Sequence, residues 1–286
     1  MVRALQRAGL AAAVAALLLG AEGSAASPAL RGTLREGSVH SKALRGSLGF
    51  EVYLPPGYAG STARYPVVYF LHGLPASRTA FRSMWTFAKA LEEAGRPAIF
   101  VAPQGARDGD DDPEYLDWGT GRNWETAIGA ELPRYIDSHY RTIAGRRGRA
   151  LVGLSAGGYG AMLVALHHLG SYSVMESWSG YFHPTNRTGD AALDLGSRAA
   201  NRRASAHALV PSLRRTFRRR PTFLAFYVGR DDARFRPENQ QFHRELSAAR
   251  VPHVFELYRG GHEQRLWNRY AAAWLGLAVA HLSAAR

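Results

Sequence analysis

The chain has 286 residues, a formal net charge of +13 at pH 7 and no cysteine. That length suits one large α/β domain with a substantial core. Without cysteine there are no disulfides, no lipoprotein attachment, no thiol catalysis and no thiolate metal site. Lys42 and Lys89 are the only lysines, so the positive balance is carried almost wholly by arginine.

Residues 1–26 read as a cleavable secretory signal, with Arg3 and Arg7 as the basic start, an apolar centre from Gly9 to Gly20, and Ser24-Ala25-Ala26 as a small-residue cleavage site. The apolar centre is too short to span a bilayer comfortably. Residues 27–286 are then expected to form a single exported α/β domain, with the oligomeric state left open.

Thr33–Ser41 and Ser47–Leu54 read as two edge strands closed by Pro55-Pro56-Gly57. The apolar run Pro66–Leu71 is the next strand and leads into His72-Gly73-Leu74. A helix follows over Thr79–Ala94, then a buried strand over Pro97–Ala102. The segment Ala106–Arg122 is an acidic loop expected at the surface beside a cleft. Its Asp108, Asp110 and Asp112 have the spacing of a Ca²⁺ loop, but Pro113 occupies the required glycine position and Gly119 the glutamate position. No metal or other cofactor is expected on this reading.

Asn123–Tyr140 reads as a helix kinked or restarted near Pro133. Ala150–Leu154 is a compact strand, Tyr159–Leu169 a buried helix and Ser173–Trp178 another strand. His183–Arg220 is a polar excursion, with eight arginines between Arg198 and Arg220. No zinc-finger spacing, RNA-binding aromatic signature or basic zipper accompanies them, so specific nucleic-acid binding is not expected. A solvated helix face accounts for the cluster, and association with anionic cell-wall polymers stays open to it. Thr222–Val228 and His253–Tyr258 complete the strands, alternating with helices over Asn239–Ala249 and Glu263–Leu282. Such alternation implies a mostly parallel sheet of about eight strands, covered by helices on both faces.

The chemistry concentrates at Gly153-Leu-Ser155-Ala-Gly157, a Gly-x-Ser-x-Gly sequence between a strand and a helix. This is the pattern of a nucleophile elbow, in which a serine at positive φ leaves no room for side chains two residues away. The Ala156 N–H then lies at a helix N-terminus, positioned to donate to an oxyanion, and the Leu74 N–H is the natural second donor. In open α/β sheets, chemistry gathers at the carboxyl ends of strands. Two such ends follow the serine. One carries Asp231 and Asp232, which compete for the role of triad acid; the other carries His262 after Gly260-Gly261. His72 is expected to orient the oxyanion loop, and His167 and His168 to make packing or solvent contacts. Trp118, Trp124, Tyr181 and Phe182 are candidate walls of a substrate pocket.

These residues resemble the esterase D family of α/β-hydrolases, whose relatives include S-formylglutathione hydrolases, feruloyl esterases and secreted mycolyltransferases. The resemblance rests on Tyr53-Leu-Pro-Pro-Gly-Tyr58, Leu71-His-Gly-Leu74, Asn123-Trp-Glu-Thr126 with Glu131-Leu-Pro133, Gly153-Leu-Ser-Ala-Gly-Gly158, Ser179-Gly-Tyr-Phe182 and Gly260-Gly-His262. It implies an α/β-hydrolase fold and a cofactor-free serine esterase acting on a small ester or acylated carbohydrate. The catalytic residues would be Ser155, Asp232 and His262, with oxyanion amides at Leu74 and Ala156. Within the family, the acid's offset from its strand end favours Asp232 over Asp231. Mycolyltransferases have a glutamate there, which argues against the alternative of acyl transfer to a sugar or lipid alcohol. Relatives often have a tryptophan two residues after the histidine, where this chain has Gln264. A non-catalytic scaffold holding an anionic polymer through Arg198–Arg220 is the remaining alternative.

Overall fold

The computed structural model describes residues 30–110, 113–186 and 191–286, so the expected signal segment lies outside the described residues. Eight strands form one sheet in the order β1-β2-β4-β3-β5-β6-β7-β8: β1 Thr33–Ser41, β2 Gly46–Leu54, β3 Val67–Leu71, β4 Ile99–Pro103, β5 Arg149–Leu154, β6 Val174–Trp178, β7 Phe223–Gly229 and β8 Val254–Tyr258. β1 pairs antiparallel with β2, and β2 with β4; the remaining pairings are parallel. The expected mostly parallel, eight-stranded sheet is therefore present. β3, β4, β5 and β6 are buried along their whole length, which explains their unbroken apolar sequences.

Helices cover both faces. On one side, α1 (Trp85–Glu93) packs beside the C-terminal α8 (Gln264–Ala280). Phe87 and Leu91 of α1 and Trp274 and Leu275 of α8 share a core with Phe70, Phe100 and Trp178 of the sheet. On the other side lie α2 (Trp124–Thr126), α3 (Leu132–His139), α4 (Ala156–His167), α5 (Arg198–Arg203), α6 (Val210–Arg219) and α7 (Arg236–Ala248). Ile136, Val164, Leu213 and Phe242 belong to the core on that face. Between α2 and α3 the backbone takes a π-helical turn over Ala127–Glu131. It sits just before Pro133, where a regular helix would lose a hydrogen bond, and is the irregularity expected there.

The basic excursion packs along this second face. Val210, Leu213 and Phe217 of α6 are buried, while Arg214, Arg215, Arg218 and Arg219 lie on its exposed side. The solvated-face reading therefore describes these arginines.

Glu176 of β6 is fully buried among apolar neighbours. Desolvation pushes its carboxyl up to about 8, although hydrogen bonds from Trp178 Nε1 (3.1 Å) and Tyr227 Oη (3.5 Å) oppose the shift. A carboxyl raised in the folded state favours folding fully only below its unfolded value, and that contribution is lost as pH rises through about 8. Stability is therefore expected to decline between about pH 4.5 and 8, by on the order of 3–5 kcal/mol from this group alone. In Glu176→Gln, the decline measured by urea unfolding across that range should be shallower by about that amount, the raised carboxyl of Glu51 contributing the remainder.

Candidate active site

Ser155 joins β5 to α4 with φ 54° and ψ −123°, a conformation costly for a residue bearing a Cβ. Its N–H donates to the Trp178 carbonyl at 2.8 Å, and its own carbonyl accepts from Gly158 N–H at 2.8 Å. The two glycines of the motif are required by contact. A Cβ on Gly153 would lie 2.1 Å from the Gly157 carbonyl oxygen, and one on Gly157 would lie 2.1 Å from that of Leu71.

The side chains of Ser155, His262 and Asp232 form a continuous hydrogen-bonded line. His262 Nε2 lies 2.9 Å from Ser155 Oγ, and His262 Nδ1 lies 3.0 Å from Asp232 Oδ2. An ionised carboxylate only accepts, so Nδ1 carries the proton and Nε2 presents its lone pair to the serine hydroxyl. Asp232 is buried, and its other oxygen accepts from the Arg234 and Phe235 N–H groups at 3.2 and 3.0 Å. Asp231, by contrast, is exposed. The loops converge because they leave adjacent parallel strands and remain paired beyond them: Arg230 N–H donates to Tyr258 O and Asp231 N–H to Gly260 O.

The loop after β3 lies directly against the serine, since a Cβ on Gly73 would meet Ser155 Cβ at 3.0 Å. His72 is buried beneath this loop. Its Nε2 accepts from Gly105 N–H at 3.1 Å, so Nδ1 carries the proton and donates to Gly73 O at 2.8 Å. Burial lowers the pKa of this ring, consistent with a neutral imidazole that orients the loop. Leu74 lines the same cleft as Ser155, and Ala156 is the first residue of α4, where amides have no partner within the helix.

The cleft over Ser155 has a volume of about 480 Å³. Of the four expected aromatic walls, Tyr181 lines it, held by a hydrogen bond from its hydroxyl to Glu114 Oε2 at 2.7 Å. The other three lie elsewhere. Trp124 is wholly buried in the core, and Phe182 is buried and stacked on Phe242 with centroids 4.0 Å apart. Trp118 borders a separate depression with Glu125 and Leu195, its Nε1 tied to Pro113 O. Residues not singled out from the sequence replace them. Phe235 and Trp267 both line the cleft and meet the His262 ring edge-on, with centroids 5.0 and 5.1 Å away. Trp267 thus supplies an indole where Gln264 lacks one, from one turn further along α8. None of the described residues between 191 and 220 lines the cleft.

The remaining sequence candidates find other partners. Glu125 is buried: desolvation favours its neutral form, but His167 Nδ1 at 2.9 Å, His168 Nε2 at 3.4 Å and Arg203 override this and hold it at about 2. His167 and His168 therefore contact a buried carboxylate as well as packing. In the acidic loop, Asp108 pairs with Arg78, and Asp110 with Arg107 and Arg122. Glu114 and Tyr115, in the middle of this loop, are buried, and Glu114 joins the loop to the cleft residue Tyr181.

The sheet order, with a serine at the β5–α4 turn, defines an α/β-hydrolase fold. The chain belongs to the Esterase family, whose model, described as "Putative esterase", matches residues 41–273. An esterase of Mycobacterium tuberculosis is 31% identical over 240 residues, covering 75% of this chain and 52% of that protein. The S-formylglutathione hydrolase of Bos taurus is 29% identical over 153 residues, covering 47% of this chain and 52% of the relative. The chain thus spans about half the length of these curated relatives. Among solved structures, an S-formylglutathione hydrolase from Agrobacterium tumefaciens superposes with a TM-score of 0.73 at 21% identity, over 90% of this chain and 98% of that one. A ferulic acid esterase superposes with a TM-score of 0.69 at 22% identity, over 88% and 99%.

The crowding around the serine turn gives a direct test. Gly153→Ala and Gly157→Ala each force a methyl group onto backbone, so each is expected to destabilise by about 3 kcal/mol, the upper end for overpacking, in urea unfolding.

Proposed function

We propose that the protein is a serine carboxylic-ester hydrolase working through an acyl-enzyme on Ser155. The observation that carries this reading is the hydrogen-bonded line Ser155–His262–Asp232 at the floor of an open cleft. His262 Nε2 takes the serine proton as Oγ attacks the ester carbonyl. It then delivers that proton to the departing alcohol. Asp232, saturated by backbone N–H groups, holds the imidazole in the required tautomer and stabilises its cationic form. The Leu74 and Ala156 N–H groups receive the oxyanion, each donor contributing about 3–4 kcal/mol to the transition state. Water activated by the same imidazole releases the acid and restores the serine.

A cleft of about 480 Å³ accepts a small ester or the acyl end of an acylated carbohydrate. Tyr181, Phe235 and Trp267 present ring surface to an acyl group there. The signal-like residues 1–26 favour export, and the exposed arginines of α6 favour retention near anionic cell-wall polymer. Among the described residues no helix is long and apolar enough to cross a membrane.

The mature protein is expected to hydrolyse p-nitrophenyl acetate and to be labelled by a fluorophosphonate probe. Ser155→Ala should abolish both, and Asp232→Asn should lower kcat by about 10⁴-fold while leaving the fold intact. Labelling that persisted in Ser155→Ala would refute the assignment. Product formed preferentially on an added sugar acceptor would make the protein an acyltransferase instead.

A further inference from the structure

His183, His207 and Glu238 come from three separate segments: the chain leaving β6, the stretch between α5 and α6, and the first turn of α7. His183 Nδ1 lies 2.6 Å from Glu238 Oε1, and His207 Nε2 lies 3.3 Å from the same oxygen. One donor atom from each residue falls within 4.8 Å of the other two, the sole such grouping among the described residues. Two imidazole nitrogens and a carboxylate oxygen grouped this closely are the ligand set of a borderline divalent cation. Tetrahedral zinc with bonds of about 2.0–2.1 Å has ligand–ligand edges of roughly 3.3 Å. The His207–Glu238 edge already has that length. The His183–Glu238 edge is about 0.7 Å shorter than that, and the His183–His207 edge is within 4.8 Å, so small side-chain shifts are required of the histidines.

A second feature points the same way. His207 Nδ1 lies 2.6 Å from Glu245 Oε2, two turns further along α7. A carboxylate on the far nitrogen of an imidazole is the arrangement that orients a metal-bound histidine and fixes its tautomer, leaving Nε2 free to ligate. His183 is about one-third exposed, which leaves a route for the ion and room for water as a fourth ligand.

We propose that His183, His207 and Glu238 bind a divalent transition metal, zinc being the best match, with Glu245 orienting His207. The ion has a structural role. Glu238 also accepts from Phe182 N–H at 2.7 Å, and the neighbouring Asn239 donates to Gly180 O at 2.8 Å. A metal here ties the Gly180–His183 loop and the excursion to α7, and so fixes the wall of the cleft that contains Tyr181. It lies outside the proposed Ser155–His262–Asp232 machinery and stands or falls independently of it.

The test is a titration of chelator-treated, desalted protein with zinc chloride, followed by calorimetry and by thermal unfolding. One site of micromolar or tighter affinity is expected, with a rise in Tm on saturation. His183→Gln and Glu238→Gln should each weaken binding by at least about 100-fold, and Glu245→Gln by about 10–100-fold. His167→Gln, in the separate Glu125 cluster, should bind zinc as the parent does. His183 is the most exposed ligand, so His183→Gln should keep the metal-free Tm and separates lost binding from lost folding. Absence of zinc binding by the parent protein, or unchanged binding by a folded His183→Gln, would overturn the site and leave a plain imidazole–carboxylate network.

Discussion

The structure depends on one backbone turn held where a residue with a Cβ does not choose to be. Ser155 occupies positive φ only because its neighbours over-determine it. Its N–H and C=O are claimed by Trp178 and by the first turn of α4, and the carbonyls of Leu71 and Gly157 close the space on either side. With a side chain at 153 or 157, the helix would have to leave the sheet. With the turn relaxed, Oγ would sink toward the strand and away from the imidazole. The same crowding packs Gly73 against Ser155, so the loop that carries Leu74 lies against the serine turn.

Convergence of the other two side chains follows from the topology. β7 and β8 are parallel neighbours, and their exits keep hydrogen-bonding one to two residues past the last strand pair. Gly229 permits this, since any Cβ there would meet the Gly260 carbonyl at 2.2 Å. With the two loops fastened together, Asp232 and His262 face each other by default. The carboxylate is then fixed by two backbone donors rather than by a flexible cation, which keeps the imidazole in register with the serine.

Much of this was legible in the sequence because burial on both faces writes itself as an unbroken apolar run. β3 to β6 were readable for that reason, and the three functional loops followed from where those runs ended. Helix α4 begins at Ala156, three residues before the apolar run read from Tyr159, because Ala-Gly-Gly carries little hydrophobic signal. Trp124 and Phe182 looked like pocket walls because they sit in motifs beside the loops at the carboxyl ends of the strands. Adjacency along the chain does not set direction, and both rings point into the core. Trp267 was missed for the converse reason: only the phase of α8 decides that a residue five beyond His262 turns back toward it. Pairings such as Tyr181 with Glu114 and His183 with Glu238 join residues 67 and 55 apart, and no local pattern encodes them.

Those long-range pairings share a design that separates the rim of the cleft from its floor. The floor is set by packed backbone, where almost nothing can change. The irregular segments around it are held by carboxylates that each collect several donors: the buried Glu114 from Tyr181 and Thr185, and the half-buried Glu238 from Phe182 and His183. A donor left unsatisfied at the buried Glu114 costs about 1–3 kcal/mol, so that anchor is strong although it buries little apolar surface. Yet these carboxylates constrain only the chain at the anchor point, and side chains between anchors are free to vary without disturbing the sheet. A scaffold built this way holds the arrangement of Ser155, His262 and Asp232 constant while leaving side chains around the cleft free to differ. That is the physical reason why family and chemistry are readable from this chain well before its preferred substrate is.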